Sequence, residues 1–161
     1  MDDGVAQTFR EAMAGLASGV AVITARRSDG HPCGLVATSV SSFSANPPSA
    51  LVSVAHTSRC HSALTEGDAF GVHILAAGQR DLATIFAGLG DDKFAGVAWE
   101  WDHDVPHLDG ALSYLRCRRS ALFEVYDHSL LIGDVTSGVV NPGEPLVYMG
   151  RRIGWRLEPG D

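Results

Sequence analysis

Two clusters of short hydroxyl side chains offer the clearest chemistry in this sequence. The denser one is Thr38-Ser39-Val40-Ser41-Ser42-Phe43-Ser44, ahead of the paired prolines Pro47-Pro48. It stands where an extended stretch is expected to give way to a loop, and such loops expose backbone N–H groups beside short hydroxyls, which suits a phosphate or the polar edge of a planar heterocycle. The second cluster is Thr57-Ser58-Arg59-Cys60-His61, at the start of a short helix expected over residues 59–66. Unpaired N–H groups and the helix dipole favour an anion there. Two such sites suit one phosphorylated ligand. Ser and Thr are also ordinary turn and cap formers, and composition alone leaves that plainer role open. With no GxGxxG after a strand and no GxxxxGKS or GxxxxGKT, neither a Rossmann site nor a P-loop is indicated.

Seven histidines raise the question of a metal, yet they form no HExxH and no Cys/His ligand pattern. His103 and His107 lie among Asp102, Asp104 and Asp109, a spacing that a solvated loop explains as well as a metal does. No metal is expected. His128 differs, because Asp127 precedes it at a turn into the apolar run Leu130-Leu131-Ile132-Gly133, where a rigid scaffold would hold a loop residue in place. It is the best single catalytic candidate. Ser113 and Ser129 lack the GxSxG context of a nucleophile elbow, and Cys60 has Arg59 and His61 as neighbours without a third partner, so acyl transfer is disfavoured. Cys33, Cys60 and Cys117 are odd in number and widely spaced, which fits free thiols rather than a disulfide framework.

The elements that must position these groups follow from periodicity. Val5, Phe9, Ala12, Met13 and Leu16 recur at spacings of three and four, predicting an amphipathic leading helix after an Asp3 cap that stops at Ser18-Gly19. Residues 19–25 and 33–39, joined by an Asp29-Gly30 turn, read as a β-hairpin. Strands are expected at 50–55 and 70–75, and a helix around Leu82, Ile85, Phe86 and Leu89. A loop containing Trp99 and Trp101 then interrupts the pattern, before extended segments at 112–125, 128–135 and 145–157. Strands outnumber helices and seldom alternate with them, so a mostly antiparallel barrel with a few helices is favoured, as a single domain over residues 1–161.

The formal charge of −7, with basic residues not gathered into a stripe, argues against a nucleic-acid partner. An acidic Met1-Asp2-Asp3 start and short apolar runs match neither a secretory signal nor a membrane span, so a cytoplasmic protein is expected.

The segments resemble the flavin reductase family, the small reductase components that feed reduced flavin to two-component monooxygenases. The resemblance rests on GVAVITA at 19–25, GLVATSVSSFSANPP at 34–48, SRCHSAL at 58–64, DKFAGVAW at 92–99, DHSLLIGDV at 127–135 and PLVY at 145–148, in the family's order. It implies a Greek-key split β-barrel of the FMN-binding type, usually a homodimer, that reduces FMN or FAD with NADH or NADPH. By the same resemblance Ala37, Thr38, Ser39, Ser41 and Ser42 line the isoalloxazine and its ribityl chain, and Ala55 and His56 adjoin them. Ser58, Arg59, Cys60 and His61 then reach the flavin phosphate, with Lys93 as a basic neighbour. His128 and Tyr148 fall on the nicotinamide side. Ala55 and Cys60 stand where more polar residues are common, which suits a flavin that exchanges as a substrate. Two other functions fit the same barrel: binding of flavin or tetrapyrrole without turnover, and direct oxidation of a small substrate by bound flavin.

Overall fold

The computed structural model describes residues 3–161; Met1 and Asp2 of the acidic amino terminus lie outside that range. Helix α1 (Asp3–Ala14) leads into β1 (Ser18–Gly19), β2 (Ala21–Arg26), β3 (Pro32–Ala37), β4 (Val40–Ala45) and β5 (Pro48–Ala55). Helix α2 (His61–Glu66), β6 (Ala69–Ile74) and helix α3 (Arg80–Ala87) follow. The remainder is strand: β7 (Trp99–Asp102), β8 (Val105–Leu108), β9 (Ser113–Val125), β10 (His128–Val140), β11 (Val147–Met149) and β12 (Arg152–Trp155). No helix among the described residues is long and apolar enough to cross a membrane.

Seven strands form one antiparallel sheet in the order β3-β2-β6-β9-β10-β5-β4. Its two end strands, β3 and β4, share no ladder. Even so, Cys33 and Ala37 of β3 pack in one core with Val52 and Val54 of β5, and Val40 of β4 packs against it. The sheet therefore curls around that core and stays open along a seam between β3 and the β4–β5 edge, which is the split barrel that the sequence implied. Ala63 and Leu64 of α2 close one side of the same core.

Strand β2 explains why the chain builds a second layer. Ala21, Ile23 and Ala25 face the barrel core, whereas Val22 faces a second cluster with Leu75, Phe86, Phe94, Leu108 and Leu146. A strand covered on both faces reads as an unbroken apolar run, as residues 20–25 do. Helix α3 lies on β3 at Gly34, where an added Cβ would stand 2.5 Å from the Phe86 ring. Only glycine permits that approach.

Three sequence expectations change. The hydroxyl run is not a loop: residues 40–45 pair with β5 as β4, the outermost strand of the sheet. The tryptophan segment is not irregular either, since β7 and β8 form a hairpin turned by His103 at φ 59° and anchored where Thr24 Oγ1 donates to the Pro106 carbonyl at 2.7 Å. The leading helix ends at Ala14 rather than at Ser18-Gly19, and its periodic face, Val5, Phe9 and Met13, stays exposed on this chain, as does Leu16 beyond it.

Candidate functional site

A groove runs along the seam of the barrel. Its narrower part, about 320 Å³, is lined by Leu35, Val36, Ala37, Thr38 and Ser39 on one side and by Ser53, Val54 and Ala55 on the other. Ser39 ties the two walls together: its Oγ donates to the Ser53 carbonyl at 2.9 Å, and Ser53 N donates back to the Ser39 carbonyl at 3.2 Å. Through Leu35, Val36 and Ser58 the groove continues into a cleft of about 470 Å³. Its walls are Cys33 and Gly34 of β3, Phe86 and Ala87 at the end of α3, the loop Gly88-Leu89-Gly90-Asp91, and Lys93 and Phe94 beyond it.

The larger cleft is cationic. Arg27, Arg59 and Lys93 face it against a single carboxylate, Asp91. One Arg59 nitrogen donates to the Leu89 carbonyl and to Asp91, each at 2.7 Å, which aims an otherwise exposed guanidinium along the α3 exit loop. Lys93 Nζ donates to the Phe86 carbonyl at 2.8 Å and to the Gly34 carbonyl at 3.4 Å. It thereby answers the carbonyl end of α3, where the helix dipole favours a cation, and pins that end to β3. Ser58 Oγ accepts from Cys60 N at 3.2 Å, fixing the turn that leads into α2. An apolar floor, a hydroxyl edge and a cationic end suit a flat amphipathic ring that carries an anionic tail.

His128 opens β10 opposite Ala55 of β5, so the two side chains share a face of the sheet at the end of the narrow groove. The His128 side chain is about half exposed, at 46%, and its Nδ1 lies 2.8 Å from Asp127. That hydrogen bond holds the Asp127 carboxyl below the usual carboxylate range. The Asp127 carbonyl in turn accepts from His56 N at 2.9 Å.

Of the residues singled out from sequence, Ala37, Thr38, Ser39, Ala55, Ser58, Arg59, Cys60 and Lys93 line the groove. His61 does not: its Nε2 meets the buried Ser129 hydroxyl at 2.8 Å, and His56 packs edge-on against its ring at 5.0 Å. Ser41 and Ser42 are exposed on β4, outside both clefts, because the strand carries them past the seam. Tyr148 pairs with Ser18, packs against the second core and lines neither part of the groove. Sequence reasoning missed Arg27, Phe86, Leu89 and Asp91. Arg27 was legible as a cation directly after the β2 run, but the loop after α3 gave no sign that it would fold back onto β3.

The sequence profile described as Flavin reductase like domain matches residues 13–155. An NADH:riboflavin 5'-phosphate oxidoreductase of Streptomyces pristinaespiralis is 41% identical over 152 residues, covering 91% of this chain and 85% of the relative. The reductase component of a 4-nitrophenol 4-monooxygenase/4-nitrocatechol 2-monooxygenase of Rhodococcus opacus is 36% identical over 146 residues, covering 91% and 78%. Among solved structures, the NADH:FAD oxidoreductase of Streptomyces globisporus C-1027, in complex with NAD and FAD fragments, superposes with a TM-score of 0.89 at 31% identity, covering 99% of this chain and 96% of that one. With a matching profile across most of its length and relatives well above 30% identity, this chain belongs to the flavin reductase-like family.

Proposed function

We propose that the protein is an NADH-dependent flavin reductase that binds FMN or FAD along the barrel seam and delivers the reduced flavin to a monooxygenase. The observation that carries this reading is the groove itself, with apolar Leu35 and Val36 in its lining, hydroxyls at its narrow end and Arg27, Arg59 and Lys93 at its wide end. The donor set fits a flavin: the apolar surface suits the ring, and the cations suit the phosphate or diphosphate of its tail. NADPH, which carries the same nicotinamide, is the alternative donor in this proposal.

Flavin and nicotinamide together supply the hydride chemistry when both are bound. The chain's contribution is placement, since hydride transfer needs the reacting atoms about 3–3.5 Å apart. Leu35 and Val36 of the β3 edge would border the ring in the seam, and Arg27, Arg59 and Lys93 would hold the anionic tail at the wide end. His128 stands at the opposite end. With Nδ1 engaged by Asp127, Nε2 is left free to hydrogen-bond the carboxamide of a nicotinamide. His128 thus acts as a positioning group on the nicotinamide side rather than as a required acid or base.

A homodimer accompanies this reading. Val5, Phe9, Met13 and Leu16 form an exposed apolar stripe, and Tyr126 at the β9–β10 tip is almost wholly exposed at 98%. A second copy of the chain, paired by two-fold symmetry, is the simplest cover for such surfaces. Light scattering at micromolar protein should return twice the 17.0 kDa chain mass, and a monomer would remove this part of the proposal.

The deciding experiment is anaerobic mixing of the protein and NADH with FMN and, separately, with FAD. Bleaching of the flavin visible band at a protein-dependent rate is expected with at least one of them. Flavin binding without bleaching would reduce the protein to a carrier and overturn the assignment.

A further inference from the structure

Two of the three cysteines meet in the wall of the larger cleft. Cys33 lies on β3 and Cys60 immediately precedes α2; both line the cleft, both belong to the barrel core, and their thiols hydrogen-bond to each other. Cys117 shares the core but opens into neither part of the groove. The members of the pair are chemically unequal. Donation from Cys33 holds the Cys60 thiol below its ordinary range, with Lys93 and Arg27 adding to that effect, while the same bond and burial push Cys33 upward. Cys60 thus shares the cleft lining with Arg27 and Lys93, two cations that favour its thiolate, and Cys33 is the neighbouring thiol that can resolve an oxidised Cys60.

We infer that Cys33 and Cys60 form a peroxide-oxidisable dithiol in the wall of the groove, converted reversibly to an intramolecular disulfide and shielded when flavin is bound. The oxidant is hydrogen peroxide, which arises when reduced flavin meets dioxygen, so its source rests on the function proposed above. In the first step the Cys60 thiolate attacks one peroxide oxygen, an S–O bond forms as the O–O bond breaks, and hydroxide leaves. The Cys33 sulfur then attacks the sulfenic sulfur of Cys60, an S–S bond forms, and the hydroxyl departs with the Cys33 proton as water. The two sulfurs are oxidised by two electrons in total and one peroxide is reduced to two waters. A dithiol reductant reverses the change by thiol–disulfide exchange.

The test treats the full-length protein, free of flavin, with hydrogen peroxide under anaerobic conditions, followed by alkylation and peptide mapping. Reactive thiols should fall from three to one, with Cys33 linked to Cys60 and Cys117 alkylated, and dithiothreitol should restore all three. Cys60→Ser should keep both remaining thiols through the same treatment. Retention of all three thiols, a bridge involving Cys117, or bridges between chains alone would overturn the inference; the wild-type map decides this even if the variant does not fold. Repeating the reaction with FMN at roughly a hundred times its Kd should slow oxidation about a hundredfold, because only the flavin-free fraction reacts. If the bridge forms equally fast with FMN bound, the dithiol stands but the flavin lies outside this cleft.

Discussion

His73 and His128 are both histidines of the large sheet, and their surroundings give them opposite tasks. His73 on β6 is wholly buried; its Nδ1 donates to the Val22 carbonyl at 3.2 Å, and its Nε2 accepts from Leu108 N at 3.0 Å. Its ring stacks on Tyr114 at 4.7 Å and, farther off, on His107 at 6.0 Å. This one neutral imidazole joins β2, β6 and β8, and burial pushes its pKa down to about 3. His128 is half exposed, bonded to the exposed Asp127, with one ring nitrogen free for a ligand. The contrast teaches that a histidine serves as structure when both nitrogens are engaged in a dry site, and stays available for chemistry when only one is.

The largest effect that can break this contrast is on stability. His73→Ala removes two hydrogen bonds, strands the buried Leu108 N–H and opens a cavity, so unfolding by urea should lose about 3 kcal/mol or more. The folded pKa lies below the unfolded value of 6.5, so the unfolded chain binds more protons between the two. The contribution of His73 is therefore fully present above pH 6.5 and is lost as pH falls toward 3. The groups facing it, His107 and Tyr114, do not replace its bonds. A melt unchanged in His73→Ala would show that this imidazole holds nothing together.

His128→Ala should leave unfolding within about 0.5 kcal/mol of wild type, as expected for a partly exposed residue away from a core. Flavin affinity should also persist. Efficiency with NADH should drop about 10- to 100-fold, matching one lost positioning contact of roughly 1.4–2.7 kcal/mol. Steady-state kinetics with NADH varied at fixed flavin measures this directly, and unaltered nicotinamide parameters would make His128 a turn residue after all.

Arg59→Ala sharpens the other end of the groove. Its guanidinium is 60% exposed and therefore partly screened, so flavin Kd should rise by about tenfold rather than more, with the larger rise at low salt. Fluorescence titration of FMN at two ionic strengths checks both parts. An equal effect on riboflavin, which lacks the phosphate, would detach Arg59 from the anionic tail.

The ends of the groove were legible to different degrees. Residues 19–25 announced a strand, and Ser58-Arg59 announced a polar turn into a helix, because local types and spacing dictate both. Lys93 could be named as a basic neighbour only through resemblance. Its task, holding the α3 carbonyl end to Gly34, depends on a contact between residues 59 positions apart. Arg27, Leu89 and Asp91 come together only when α3 settles on β3 and its exit loop turns back, a tertiary event with no local signature. The exposed Val5, Phe9 and Met13 read correctly as one helical face, yet periodicity says only that a face is apolar, not which molecule covers it.

The smallest expected effect tests the reading that sequence suggested most strongly. The run of hydroxyls looked like a ligand loop, and two lost hydrogen bonds of about 0.7 kcal/mol each would raise flavin Kd about tenfold in a Ser41→Ala, Ser42→Ala double variant. The strand geometry argues for less. Ser41 Oγ donates to the neighbouring Ser42 carbonyl at 3.1 Å, and both residues are exposed on the outermost strand beyond the residues that line the groove. A change below about threefold, under roughly 0.7 kcal/mol, is therefore expected for a site built by one chain. Ser39→Ala, which removes the bond to the Ser53 carbonyl across the seam, should exceed it. If the double variant instead loses tenfold or more while staying folded, the flavin reaches the β4 edge, and the ligand site extends past the seam onto a surface that only a second subunit could enclose.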